Sequence, residues 1–208
     1  MTDFPILSLV TFMPLIGVAL LLLLPYLPCN KSPAQKDDCA RWIAFGASMF
    51  TFITSLCVFC GFDPSVPSFQ LIEKASWIPS LGIDYHRGVD GVSVWFVLLS
   101  TFLMPIAILS GFAVKERVPT FMSALLVLEV MMVGMFSSLD FFLFYVFFEG
   151  VLIPMFLIIG VWGGEKRIYS ALKFFLYTFL GSVLMLVAIF AMVMKAGTSD
   201  MTSMIGFD

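Results

Sequence analysis

Charge is scarce in this chain. Only 12% of its 208 residues are Asp, Glu, Lys or Arg, about half the usual share of a soluble domain. No polybasic run is present, so nucleic acid is not an expected partner. Histidine is nearly absent. The single His86 stands in a polar loop away from any Cys or His cluster, which argues for loop packing or a surface position over a metal ligand. The stretch Met1-Thr-Asp-Phe-Pro5 lacks the basic region of a signal peptide, so the apolar run that follows reads as a retained helix. No Walker A motif, dinucleotide fingerprint or haem-type histidine pair occurs. No redox centre and no cofactor is expected in this chain.

Four cysteines do not make a metal site. Cys29 and Cys39 flank the first loop, and Cys57 and Cys60 lie inside the second apolar run, roughly 22 Å further along a helix. Four thiolates cannot converge from opposite halves of a bilayer. Cys-x-x-Cys without a βαβ context is weak as a redox motif, so packing is the expectation.

What the chain has instead is length of apolar sequence. It is 61% hydrophobic, with a mean hydropathy of +1.05. Runs near the length that crosses a bilayer occur six times. They cover about Phe4–Leu27, Trp42–Phe62, Val92–Ala113, Thr120–Leu139, Phe141–Trp162 and Ser170–Met194. The expected fold is all-α, a polytopic bundle of six transmembrane helices. Only Ser137-Ser-Leu-Asp140 joins the fourth and fifth spans, so these two form a tight antiparallel pair. The long connection 63–91 is rich in Pro and Gly and reads as a turn-rich cap with room for one short hairpin.

Basic residues set the orientation. Seven of the eleven fall in the loops after spans one, three and five: Lys31, Lys36, Arg41, Lys115, Arg117, Lys166 and Arg167. Those loops are expected inside. The N-terminus and the cap are then outside.

Against this background the polar residues within the spans stand out. Glu149 is eight residues from one end of Phe141–Trp162 and thirteen from the other, roughly 12 Å and 20 Å deep. A charge at such depth costs about 2.5–3.5 kcal/mol on insertion scales, and an ion or proton pathway is the default reading. A carboxylate that only hydrogen-bonds a neighbouring helix is the plainer alternative. Glu129 lies at similar depth in span four. Two carboxyls on consecutive helices can hold or release a proton as a nearby cation moves. Pro154 cannot donate to the carbonyl of Gly150, the neighbour of Glu149. A free carbonyl beside a missing side chain makes room for water, unless the proline is an ordinary packing kink. Lys173 enters span six by about three residues. It is too far along the axis to pair with Glu149, and either snorkels to the inner surface or serves as a relay station.

The segment from Phe141 to Gly164, Lys173-Phe-Phe-Leu-Tyr-Thr178 and Gly88-Val-Asp-Gly-Val-Ser93 together resemble one family. It is the subunit M (chain 4) family of respiratory complex I, the NADH:quinone oxidoreductase. The resemblance also extends to subunits of multi-subunit sodium/proton antiporters. It implies an antiporter-like, proton-translocating subunit with about fourteen helices in two inverted repeats of five, each with a broken helix (compare). It implies that Glu149 is the key glutamate of the fifth helix and Glu129 a second one on the fourth. The lysine pairing with Glu149 would lie on a seventh helix, beyond residue 208. Residues 1–113 would then hold three N-terminal helices with an outer loop at 63–91, and 114–208 the first three helices of the translocating repeat. The resemblance further implies a bacterial cytoplasmic or mitochondrial inner membrane. It also implies neighbouring membrane-arm subunits, with FMN, iron–sulphur clusters and quinone held by partners. A cation/proton antiporter without a redox partner is the alternative function, and a structural scaffold a third.

Overall fold

The computed structural model describes residues 5–24, 33–66, 68–79 and 82–204. Cys29, Lys31 and the outermost residues expected for the first span lie outside them. Six long helices run α1 (Ile6–Leu23), α2 (Pro33–Cys60), α3 (Ser93–Ser110), α4 (Val118–Phe136), α5 (Phe141–Trp162) and α6 (Arg167–Ala196). A short 3-10 turn, Gly111–Ala113, continues α3, and α7 (Met201–Met204) follows α6. All six long helices are long and apolar enough to cross a membrane. A helix pairs most of its backbone groups within itself, which is what a hydrocarbon environment demands. Pro14, Pro105 and Pro154 sit inside helices that remain continuous.

The cap contains the hairpin. Strands β1 (Gln70–Ile78) and β2 (Ile83–Val89) pair antiparallel, with Glu73 opposite Arg87 and Lys74 opposite His86. The pairing is irregular between Gln70 and Glu73, where Leu71 takes a φ of 52°. An L-residue there is uncommon and marks a bulge. Gly82, at φ 65°, opens the way into β2.

Helix α4 is the hub. It packs against α1, α2, α3 and α5, while α6 packs against α5. Two aliphatic clusters fill the α1–α4 core. The one away from the hairpin includes Leu21, Ala44, Met104, Ile108, Met122 and Leu126. The one next to the hairpin includes Leu7, Val10, Val58, Val97 and Val133, with Val89 of β2.

Backbone bonds fasten the helix ends at the hairpin. Gly88 N donates to Ser137 O at 2.9 Å and Leu139 N to His86 O at 2.9 Å, which ties β2 to the α4–α5 turn. Phe141 N donates to Ser199 O and Met201 N to Leu139 O, which ties that turn to the segment after α6. Asp140 caps α5 by accepting from Phe142 N and Leu143 N, a favoured role for Asp before a first turn. Arg87 plugs this junction with no exposure to solvent. Its guanidinium donates to the hydroxyls of Thr11 and Ser137, and at 3.1 Å to Tyr85. Burial pulls it below the usual arginine value, with Tyr85 and Glu73 opposing.

Two side expectations resolve here. His86 is buried in loop packing, its Nδ1 at 3.1 Å from Asp200. Cys57 and Cys60 are free and exposed on α2 rather than packed in the core. No group of metal-binding residues occurs among the described residues.

Candidate functional site

The two glutamates do not share one space. Helices α4 and α5 touch through Met131 against Gly150 and Gly134 against Phe147. At about 100° per residue, Glu129 falls roughly 160° from Met131 and 140° from Gly134. It therefore faces α1–α3, on the stripe that includes Met122, Leu126 and Val133. Glu129 has no exposed surface, and neither carboxyl oxygen has a hydrogen-bond partner among the described residues.

Glu149 turns the other way, toward α6. Seven residues before it, Phe142 meets Phe190 at 5.2 Å, and seven after it, Phe156 meets Phe175 at 5.6 Å. These two contacts mark the stripe along which α5 meets α6. At about 100° per residue, Glu149 lies within roughly 20° of both phenylalanines. The buried residue of α6 at the same level is Ser182, whose hydroxyl donates to Phe179 O at 2.9 Å. Glu149 is half-buried, and its Oε2 is buried without a partner. Sequence reasoning did not single out Ser182, because a lone serine in an apolar helix carries no signal until its neighbour is known.

The room expected beside Gly150 is taken. A Cβ there would lie 2.5 Å from the Met131 sulphur, so the missing side chain serves helix approach instead of admitting water. Pro154 is buried in the same helix without breaking it.

Lys173 is exposed and lies about 160° around α6 from the buried Ala171. Its ammonium stands 5.9 Å from the Tyr177 ring centre. Among the described residues it forms no salt bridge with Glu149. It belongs to a long uncovered face of α6 that includes Leu176, Tyr177, Leu180 and Leu184.

Residues 138–207 match a transmembrane-domain family described as NADH:quinone oxidoreductase/Mrp antiporter. The chain is 52% identical over 203 residues to the NADH-quinone oxidoreductase subunit M of Rhodobacter capsulatus, covering 98% of this chain and 38% of that protein. It is 43% identical over 190 residues to the NADH-ubiquinone oxidoreductase chain 4 of Arabidopsis thaliana, covering 90% and 37%. The chain thus spans about two-fifths of the length of these relatives. A chain in respiratory complex I from Thermus thermophilus superposes with a TM-score of 0.78 at 28% identity, over 96% of this chain and 39% of that one. The Mrp complex from Dietzia shares the fold alone, at a TM-score of 0.75 and 17% identity over 93% of this chain and 20% of that one. With six membrane-length helices and this degree of likeness along nearly all of its residues, the chain belongs to the antiporter-like subunit M (chain 4) family of NADH:quinone oxidoreductases.

Proposed function

We propose that this chain works as part of a proton-translocating membrane-arm subunit of NADH:quinone oxidoreductase. In that role it couples quinone reduction, carried out by partner subunits, to proton movement through the bilayer. The observation that carries the reading is Glu149. It is a carboxyl with a buried, unpartnered oxygen at mid-helix, on the same stripe of α5 as two aromatic contacts to α6. Glu129 is a second proton-carrying group. Lys173, on the uncovered face of α6, serves in this reading as a relay of protons from the inner side. Gly150 and Pro154 set how α5 presents Glu149. FMN, iron–sulphur clusters and quinone belong to partner subunits, among them neighbouring antiporter-like ones. The membrane is the bacterial cytoplasmic or the mitochondrial inner membrane, with the N-terminus outside.

The test uses the complete subunit in its assembled complex. Glu149→Gln is expected to abolish or sharply reduce proton pumping and coupled quinone reduction while assembly survives. Glu129→Gln is expected to do less. Near-wild-type pumping in both variants refutes the pathway. Loss of assembly in Glu149→Gln favours a purely structural carboxyl. Pumping by a complex that purifies without flavin and iron–sulphur subunits selects the cation/proton antiporter instead.

A further inference from the structure

The apolar runs of α2 and α3 end together at the hairpin pole. Asp63 is the first charged residue after the run 42–62, and Asp90 the last before the run 91–114. Such limits mark the level where lipid headgroups begin. A cavity of about 600 Å³ opens there between the two helix ends, a size typical of small-ligand clefts. Phe59, Val94 and Trp95 line it from the helices, and Phe62, Ser68 and Asp90 from the connection between them. The Phe59 and Trp95 rings meet edge to face at 4.9 Å. Seven residues further along both helices Phe52 and Phe102 meet at 5.6 Å, roughly 10 Å deeper in the bilayer. Leu56 and Leu99, between these pairs on the same stripes, are exposed. The cavity therefore continues into an apolar α2–α3 seam that leads into the hydrocarbon.

Asp90 is the one charge in this wall. Its Oδ1 accepts from Ser93 N at 2.7 Å, Ser93 Oγ at 2.6 Å and Val92 N at 3.2 Å, which holds the first turn of α3. All of its side-chain bonds fall on that oxygen, and among the described residues it forms no ion pair. Burial pushes its pKa up, but the bonds from Ser93 and Val92 outweigh burial and hold the carboxyl below the usual aspartate value. Asp90 is therefore ionised at neutral pH with one oxygen to spare. No lining residue is basic. The hairpin's own cations are engaged elsewhere, Lys74 with Asp84 and Asp200, and Arg87 with Thr11 and Ser137. Asp63, between the lining residues Phe62 and Pro64, adds a second acidic residue to the same connection.

We propose that this cavity seats the ammonium headgroup of a zwitterionic phospholipid, phosphatidylcholine or phosphatidylethanolamine, whose acyl chains lie along the α2–α3 seam. A carboxylate beside aromatic rings, with no cation of its own, is the chemistry that recognises an ammonium group. Asp90 supplies the opposite charge, and Phe59 and Trp95 the aromatic faces. Ser68 brings a hydroxyl that can donate to the lipid phosphate. A hard metal ion would need more oxygen ligands than one carboxylate gives. A soluble amine would use the headgroup contacts alone, whereas a phospholipid also covers the exposed leucines and phenylalanines of the seam.

The inference rests on the membrane-spanning fold and not on the transport reading, and its test reads no pumping. The assembled complex is placed in nanodiscs of phosphatidylglycerol with a sub-saturating amount of phosphatidylcholine that carries a photoreactive group beside its ammonium. After illumination, labelled peptides are mapped by mass spectrometry. Label is expected within 59–68 and 90–95. Added phosphatidylcholine or phosphatidylethanolamine should displace it, and further phosphatidylglycerol should not. Asn caps helices as well as Asp, so Asp90→Asn removes the charge and keeps the turn. That variant should lower the labelling roughly fivefold. Trp95→Leu, at an exposed position, should lower it about two- to fivefold, and it carries the test should Asp90→Asn fail to assemble. Glu116→Gln, at the other pole, should leave it unchanged. The proposal is overturned by absence of label from both segments, by labelling indifferent to Asp90→Asn or Trp95→Leu, by an equal loss in Glu116→Gln, or by equal displacement with phosphatidylglycerol. Displacement by soluble glycerophosphocholine as effective as by the lipid would make this a site for free amines and overturn it too.

Discussion

Gly150 of α5 lies so close to Met131 of α4 that a Cβ added there would stand 2.5 Å from the sulphur. The contact is reciprocated one turn away, where a Cβ on Gly134 of α4 would meet the Phe147 ring at 2.3 Å. One glycine from each helix lets the two backbones approach, a common device between membrane helices. Phe147 is buried and rigid, whereas Met131 has a flexible side chain. Gly134→Ala is therefore expected to destabilise by about 1–3 kcal/mol, and Gly150→Ala by less. Met131→Ala should rescue Gly150→Ala and leave Gly134→Ala unaided. Thermal melting of the assembled complex measures each. Equal losses in the two alanine variants would count against this account of the contact.

Arg87 joins three parts of the outer surface through one fork: Thr11 of α1, Ser137 after α4, and Tyr85 of its own strand. Tyr85 continues to Ser8 at 2.7 Å, and Ser8 donates to Glu73 of β1. Lysine has no planar fork to repeat this geometry. Arg87→Lys should cost roughly 1.5–3 kcal/mol for each hydrogen bond it loses. Amides Gly88 and Leu139, which pair the hairpin with the α4–α5 turn, should exchange faster. Unchanged protection of both amides in the lysine variant refutes the role of Arg87 as the fastener.

How much of this was legible beforehand depends on whether a feature is local. The six spans were, because about twenty apolar residues in a row are readable from composition alone. Phe141–Trp162 coincides with α5 to the residue. The tight α4–α5 turn was legible too, since four residues leave no other path. Facing was not. Helices apolar on every side carry no amphipathic stripe to say which way Glu129 or Glu149 points. Glu129 and Glu149 seemed to be neighbours because their helices are neighbours. Their opposite orientations follow from the two glycine contacts, which only tertiary packing reveals. The same holds for Gly150, where local reasoning saw empty space and packing filled it with Met131. Arg87 stands in the turn-rich 63–91 connection, and nothing in sequence announces that a hairpin will carry its arginine into the core.

Sidedness is checked by labelling. The structure puts the hairpin, the α4–α5 turn and the end of α6 at one pole. The opposite pole holds the α3–α4 and α5–α6 loops, where Trp162 donates to Glu116 O at 2.7 Å. Basic residues favour the second pole as the inner one. A single cysteine at Lys115 should react with a membrane-impermeant maleimide only from the inner side. One at Ser76 should react only from the outer side. The reverse pattern inverts the topology.

At the hairpin pole Asp200 ties the α6–α7 segment to β1 through Lys74, and that tie should depend on pH. Lys74 contacts Asp200 at 3.1 Å and Asp84 at 3.2 Å, and hydrogen bonds to these two carboxylates raise its pKa. Burial pushes Asp200 up, but bonds from Thr202 and Lys74 and the nearby charge of His86 outweigh it and hold Asp200 below the usual aspartate value. A lowered carboxylate stabilises the folded arrangement fully above its ordinary pKa of 3.8 and loses that contribution as pH falls through the lowered value. A raised lysine contributes fully below 10.5 and loses its share as pH rises beyond that. The Lys74–Asp200 contact should therefore open in acid. Spin labels at Ser76 on β1 and Thr198 beside α7 report the distance between the two segments. It should widen below about pH 3.8. In Asp200→Asn the segments should already be looser at neutral pH and show no further acid step. An acid step of equal size in that variant would assign the titration to another group.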